Sequence, residues 1–225
     1  MLLPSFFNSH STFVLKKRER KLSEDHLKKL SQKAKELGYS VPESAQIAFE
    51  GSRSRSHKKL KQNDPIEAFL LSAEGKDPPY RIFVYSGFKN LPPGEQQMLI
   101  GHEFAHILLA DQSDKKKPVE VEREIDRLAS ELLDDPLDAI RLQLRIVKRL
   151  LAAYEETSQP FLKSFWIAEN LCGETHPKWS KRVGDAITFC RKHSVEIPDK
   201  LLQDAANTLR KLMPLEHQAK AYSRF

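Results

Sequence analysis

Residues 80–110 read YRIFVYSGFKNLPPGEQQMLIGHEFAHILLA, and the structural period changes inside this stretch. The first six residues are aromatic or β-branched apart from Arg81, the composition of a strand. SGFKN and two prolines follow. From Pro93 onward apolar residues recur at helical spacing, and proline is tolerated in a first helical turn. The reading is therefore strand, turn, helix.

Upstream, residues 66–73 (IEAFLLSA) are another short apolar run. EGKDPP at 74–79 separates the two runs and is turn material, so the pair predicts strand, turn, strand. Residues 19–37 (ERKLSEDHLKKLSQKAKEL) place Leu22, Leu27, Leu30 and Ala34 near one helical face, with Gly38 as the stop. A second short helix is expected after Pro42. The polar stretch 51–64 (GSRSRSHKKLKQND) reads as an exposed basic loop.

Beyond Leu91 the pattern is helical throughout. Helices are expected at about 93–110, 118–134, 137–155, 160–172, 177–193 and 198–213. Pro118, Pro136, Pro160, Pro177 and Pro198 stand at or near their starts. The fold class is mainly α, of the α+β type, with a small β-sheet preceding the helix that carries residues 102–106. Two parts are expected: an N-terminal helical segment with its basic loop over 1–65, and a domain over 66–225 with a helical C-terminal part.

The chain has 225 residues, 40% hydrophobic and 30% charged, which suits a globular protein able to bury its own core. Only 8 residues are glycine, against a glycine-rich all-β fold. Two cysteines, Cys172 and Cys190, are too few for a disulfide framework and read as buried free thiols. The N-terminus lacks the charge order of a signal peptide, and no 18-residue apolar run exists to span a membrane. The cytoplasm is the expected location. The net charge is +6. Its basic clusters, Lys16–Arg20, Arg53–Lys59 and Lys115–Lys117, are scattered and free of interleaved aromatics. They read as solvated surface, with non-specific nucleic-acid attraction as the competing reading.

Within the helix, residues 102–106 are HEFAH. Positions four apart lie on one helical face, so His102 and His106 project side by side and two neutral imidazoles can hold one Zn²⁺. Glu103 is rotated about 100° from His102. From there it can act as general base on a metal-bound water without being a ligand. The bland alternative is a helix with two ordinary histidines, but MLIG before and ILLA after the motif predict burial, and buried imidazoles need partners.

A third ligand is expected from VEVEREIDRLASELL, the amphipathic stretch beginning at Val119. Glu122 and Asp126 are four apart and share a face. Glu122 is the candidate ligand, Glu120 its weaker competitor, and Glu124 falls on another face. Asp126 is suited to accept the ring N–H of a ligating histidine, His102 first. A charged surface helix is the plain alternative.

HExxH followed by E-x-x-x-D resembles the gluzincin pattern. IFVYSGFKNLPPGEQQMLIGHEFAHILL resembles the catalytic segment of HtpX and CAAX-prenyl-endopeptidase type metallopeptidases, and EREIDRLASEL resembles their E-x-E-A-D segment, with Ile125 where alanine is usual. ETHPKWSKRV at 174–183 resembles their T-H-P-x-x-x-x-R-[IV] segment. That resemblance implies His176 on the oxyanion side and Arg182 as a supporting or substrate-contacting cation. The short gap from His106 to Glu122, and ASELL followed by Pro136, also resemble the soluble ImmA/IrrE-type peptidases. Either resemblance implies a helical zincin-like catalytic domain over 66–225, a zinc-dependent endopeptidase and a protein or peptide substrate. The rival readings are a proteolytically idle or self-inhibited regulatory module of the same fold, and a basic helical protein associated with nucleic acid.

Overall fold

The computed structural model describes residues 11–13, 17–43, 47–53, 68–72, 80–110, 117–159, 163, 171 and 177–222. The chain forms two compact units, residues 1–107 and 108–225.

The first unit is built on a four-stranded sheet. Its elements are β1 (Ser11–Phe13), α1 (Lys17–Glu36), β2 (Ile47–Arg53), β3 (Ala68–Ser72), β4 (Tyr80–Tyr85), a 3-10 turn (Ser86–Asn90) and α2 (Pro93–Leu108). The strand order is β1-β2-β4-β3. β3 and β4 pair antiparallel with Leu70 opposite Ile82, as the strand–turn–strand reading expects. β2 pairs parallel to β4 with Phe49 opposite Ile82, and β1 pairs antiparallel to β2. β4 is therefore internal. Ile82, Phe83 and Val84 are all buried, which is why the sequence shows a continuous apolar run instead of alternation.

β2 corrects the expectation of a helix after Pro42 and of a loop from residue 51. A seven-residue segment is too short to hold a helix in water by propensity, and the ladder to β4 decides its state. Residues 54–64 of the expected loop lie outside the described residues. β1 and β2 come from the N-terminal 65 residues and β3 and β4 from beyond them, so the sheet runs across the expected 65/66 boundary. Helix α1 buries Leu27, Leu30 and Ala34, the face read from the sequence. It ends in Gly38 at φ 85°, with the Tyr39 N–H donating to the Ala34 carbonyl at 3.0 Å. This closure wants a left-handed residue, and glycine takes that conformation without a Cβ penalty.

The second unit is helical among its described residues: α3 (Pro118–Glu131), α4 (Leu137–Glu156), α5 (Trp179–Lys192) and α6 (Asp199–Tyr222). The expected helix over 160–172 lies almost entirely outside the described residues. Helix α6 runs nine residues past the expected stop at 213, with Pro214 inside it. Proline ordinarily ends a helix. Here Leu212, Leu215 and Ala219 are buried in one cluster with Val147, Leu151 and Leu171, and that packing carries the helix through. Asp135 begins α4: its carboxylate accepts the Leu137 N–H at 3.0 Å and an Arg141 N–H at 2.8 Å. Contact with Asp138 and Asp135 raises the Arg141 pKa further. No described helix is long and apolar enough to cross a membrane.

Candidate metal centre

Helix α2 starts where the sequence sets Pro92 and Pro93 against the 3-10 turn. Gln96 fixes the junction: its amide nitrogen donates to the carbonyls of Leu91 at 2.9 Å and Phe88 at 3.2 Å. This sets the phase of the helix relative to the end of β4. Met98, Ile100, Phe104 and Ala105 are buried. The flanking apolar residues thus sink the helix, as MLIG and ILLA predict.

His102 and His106 occupy successive turns of α2. Their ring centroids stand 5.1 Å apart with the planes at 85°. Both are half-buried, while Glu103 between them is 6% exposed.

In the second unit, α3 carries Glu122 and Asp126 on its inner face, both buried, whereas Glu120 is exposed and Glu124 only half-buried. The burial pattern separates Glu122 from its two neighbours in sequence. In the first unit His102 and His106 stand side by side on α2, and in the second Glu122 is the buried acid on the inner face of α3. Two nitrogens and one carboxylate oxygen are the ligand chemistry of open zinc sites, so the donor set is compatible with zinc.

Asp126 has a partner the sequence did not suggest. Arg182 of α5 grips it with two hydrogen bonds, Nε to one oxygen at 2.7 Å and an Nη to the other at 2.6 Å. Only 12% of the arginine side chain and 10% of the aspartate side chain are exposed. The guanidinium also lies 4.7 Å from the centre of the Trp179 ring. One turn away on each helix the pattern reverses, with Arg123 of α3 bonded to Asp185 of α5 at 2.9 Å. Each helix thus carries an R-x-x-D segment, Arg123–Asp126 and Arg182–Asp185, and the two segments pair reciprocally across a separation of 56 to 62 residues.

His176 and Cys172 lie outside the described residues. Cys190 is a free, fully buried thiol whose pKa is pushed up by burial and by the charge of Asp135. β4 is paired on both sides over residues 80–84. β4 therefore has no free edge there, and the described edge strands are β1 and β3.

Residues 63–159 match the family model Peptidase M78, described as the IrrE N-terminal-like domain. The matched stretch contains β3, β4, α2, α3 and α4 and stops short of His176 and Arg182. It supports the likeness to ImmA/IrrE-type peptidases and gives none to the HtpX and CAAX-prenyl-endopeptidase type. The chain is thus similar, over under half its length, to a family of metallopeptidase type. Neither the curated proteins nor the solved structures contain a match to it.

Proposed function

We propose that the chain is a zinc-dependent endopeptidase whose ligands are His102, His106 and Glu122. The observation that carries this reading is the pair of half-buried imidazoles on one face of α2, with Glu122 as the buried acid of α3. The peptidase family match over the same stretch supports it. Zinc, when bound in such a set, lowers the pKa of a bound water and polarises a carbonyl. The chain's own residues do the rest. The carboxylate of Glu103 accepts the proton of the attacking water and returns it to the leaving amine. Arg182 holds Asp126 in one orientation on the inner face of α3. His176 is assigned to the oxyanion by resemblance alone. The substrate class is protein or peptide, and the cytoplasm is the proposed compartment.

Zinc analysis and casein hydrolysis of the wild type beside Glu103→Gln test the reading. The wild type is expected to hold about one zinc per chain. Glu103→Gln should keep that zinc and the fold but lose hydrolysis by about 10²–10⁴-fold, because the amide is nearly isosteric yet cannot act as a base. A wild type that neither purifies with zinc nor regains it on dialysis overturns the ligand set. A variant within tenfold of wild type removes Glu103 from the role of base.

A further inference from the structure

Between α3 and α5, with Gln143 of α4 contributing to its wall, lies a groove of about 590 Å³. Its volume falls within the range of ~300–1,000 Å³ typical of small-ligand sites. His102, Glu103, His106 and Glu122 do not line it. Gln143 is 3% exposed, and among the described residues its amide oxygen has no hydrogen-bond partner. Buried amide groups are ordinarily satisfied, so an unpartnered one in the wall of a groove marks the place for a ligand's donor.

The charges around the groove define that ligand further. Arg123, Arg127 and Arg182 each hold a carboxylate already, those of Asp185, Glu131 and Asp126. A phosphate would find no uncommitted guanidinium. Glu120 on α3 and Lys192 on α5 are both exposed and, among the described residues, enter no ion pair. Phe189 and His193 stack with ring centroids 4.2 Å apart and add an apolar wall. Among the described residues the groove therefore offers a cation and an anion outside any ion pair, an amide acceptor and an apolar surface. A molecule that matches all four carries an ammonium, a carboxylate, amide N–H groups and small side chains.

We infer that this groove binds short peptides with free termini. The carboxylate of the peptide meets Lys192, its ammonium meets Glu120, and an amide N–H donates to Gln143 Oε1. The groove also touches Asp126 and Arg182, so occupancy would be felt by the ion pair between α3 and α5. The site stands on residues of the second unit alone and does not require the chain to hydrolyse anything.

Calorimetric titration of the full chain with trialanine tests this. Saturable binding is expected, unchanged by a metal chelator. It should weaken about tenfold in Gln143→Met, which keeps the side-chain volume and removes the acceptor. Thermal melting of that variant establishes that it is folded. Lys192→Glu, on the exposed rim, should weaken trialanine binding but leave its C-terminal amide unaffected. Three results overturn the inference. They are the absence of saturable binding, binding abolished by the chelator (which would place the peptide at the metal ligands), and equal binding by wild type, folded Gln143→Met and Lys192→Glu.

Discussion

His102 and His106 face each other because they are four residues apart on one helix; Asp126 and Arg182 face each other across 56 residues of chain. The first pairing is a property of α2 itself and would persist in any context that keeps α2 helical. The second exists only when α3 and α5 are packed. The two pairs also differ in what they are prepared for. The imidazoles are half-buried on one face of α2, a donor type compatible with zinc. The carboxylate and guanidinium are nearly buried and satisfy each other, so they hold structure in place. In the proposed function the local pair supplies the metal ligands and the distant pair holds the second unit's helices together.

The largest expected effect breaks the metal side of this contrast. Glu122→Ala should lower zinc from about one per chain towards none, whereas Glu124→Ala should retain it. Elemental analysis of the two purified variants decides the matter, and the opposite outcome would transfer the ligand role to Glu124. His176→Ala comes next. If the THP resemblance assigns it correctly, turnover falls about 10²–10³-fold with zinc content and KM nearly unchanged, the cost typical of one lost oxyanion donor. A fully active variant would reduce the segment to the start of α5.

Arg182→Ala sharpens the other side. It leaves the Asp126 carboxylate buried without its counter-ion, and breaking such a pair costs about 3 kcal/mol or more. Arg123→Ala removes the exposed half of the same reciprocal pattern, where 46% of the arginine side chain and 37% of the aspartate side chain are exposed. It should cost less than about 1 kcal/mol. Urea unfolding of both variants measures the difference, and equal costs would mean that burial does not separate the two pairs. One further expected effect is a gain. Ser194 closes α5 at φ 57°, with the Val195 N–H donating to the Cys190 carbonyl at 2.8 Å. Ser194→Gly should raise stability by about 1 kcal/mol, because glycine occupies that conformation without the Cβ clash. A thermal melt reads this directly.

Much of the fold could be read from local pattern. The β3–β4 pair, α1 with its glycine stop, and the boundaries of α2, α3 and α4 follow from apolar period, turn chemistry and proline position. The misreadings share one cause. IAFEGSR looks like the end of a helix and the start of a loop until β4 is available to pair with it. Pro214 looks like a stop until Leu215 and Ala219 are seen packed against Val147 and Leu151. In both places long-range contact outweighs a local preference worth only a few kcal/mol.

The candidate centre divides along the same line. HEFAH carries its own geometry, since the pitch of a helix converts a spacing of four into a shared face, and the sequence alone determined that His102, Glu103 and His106 stand together. The same rule put Glu122 and Asp126 on one face of α3, but could not say what that face meets. The tertiary structure decided that Asp126 belongs to Arg182, that the two R-x-x-D segments pair reciprocally, and that Gln143 ends in the wall of a groove with its carbonyl unmatched. A charged residue in a sequence announces its sign and its reach but not its partner. Partners 56 residues apart are chosen by which helices pack, and that choice is made by the apolar faces on their other sides.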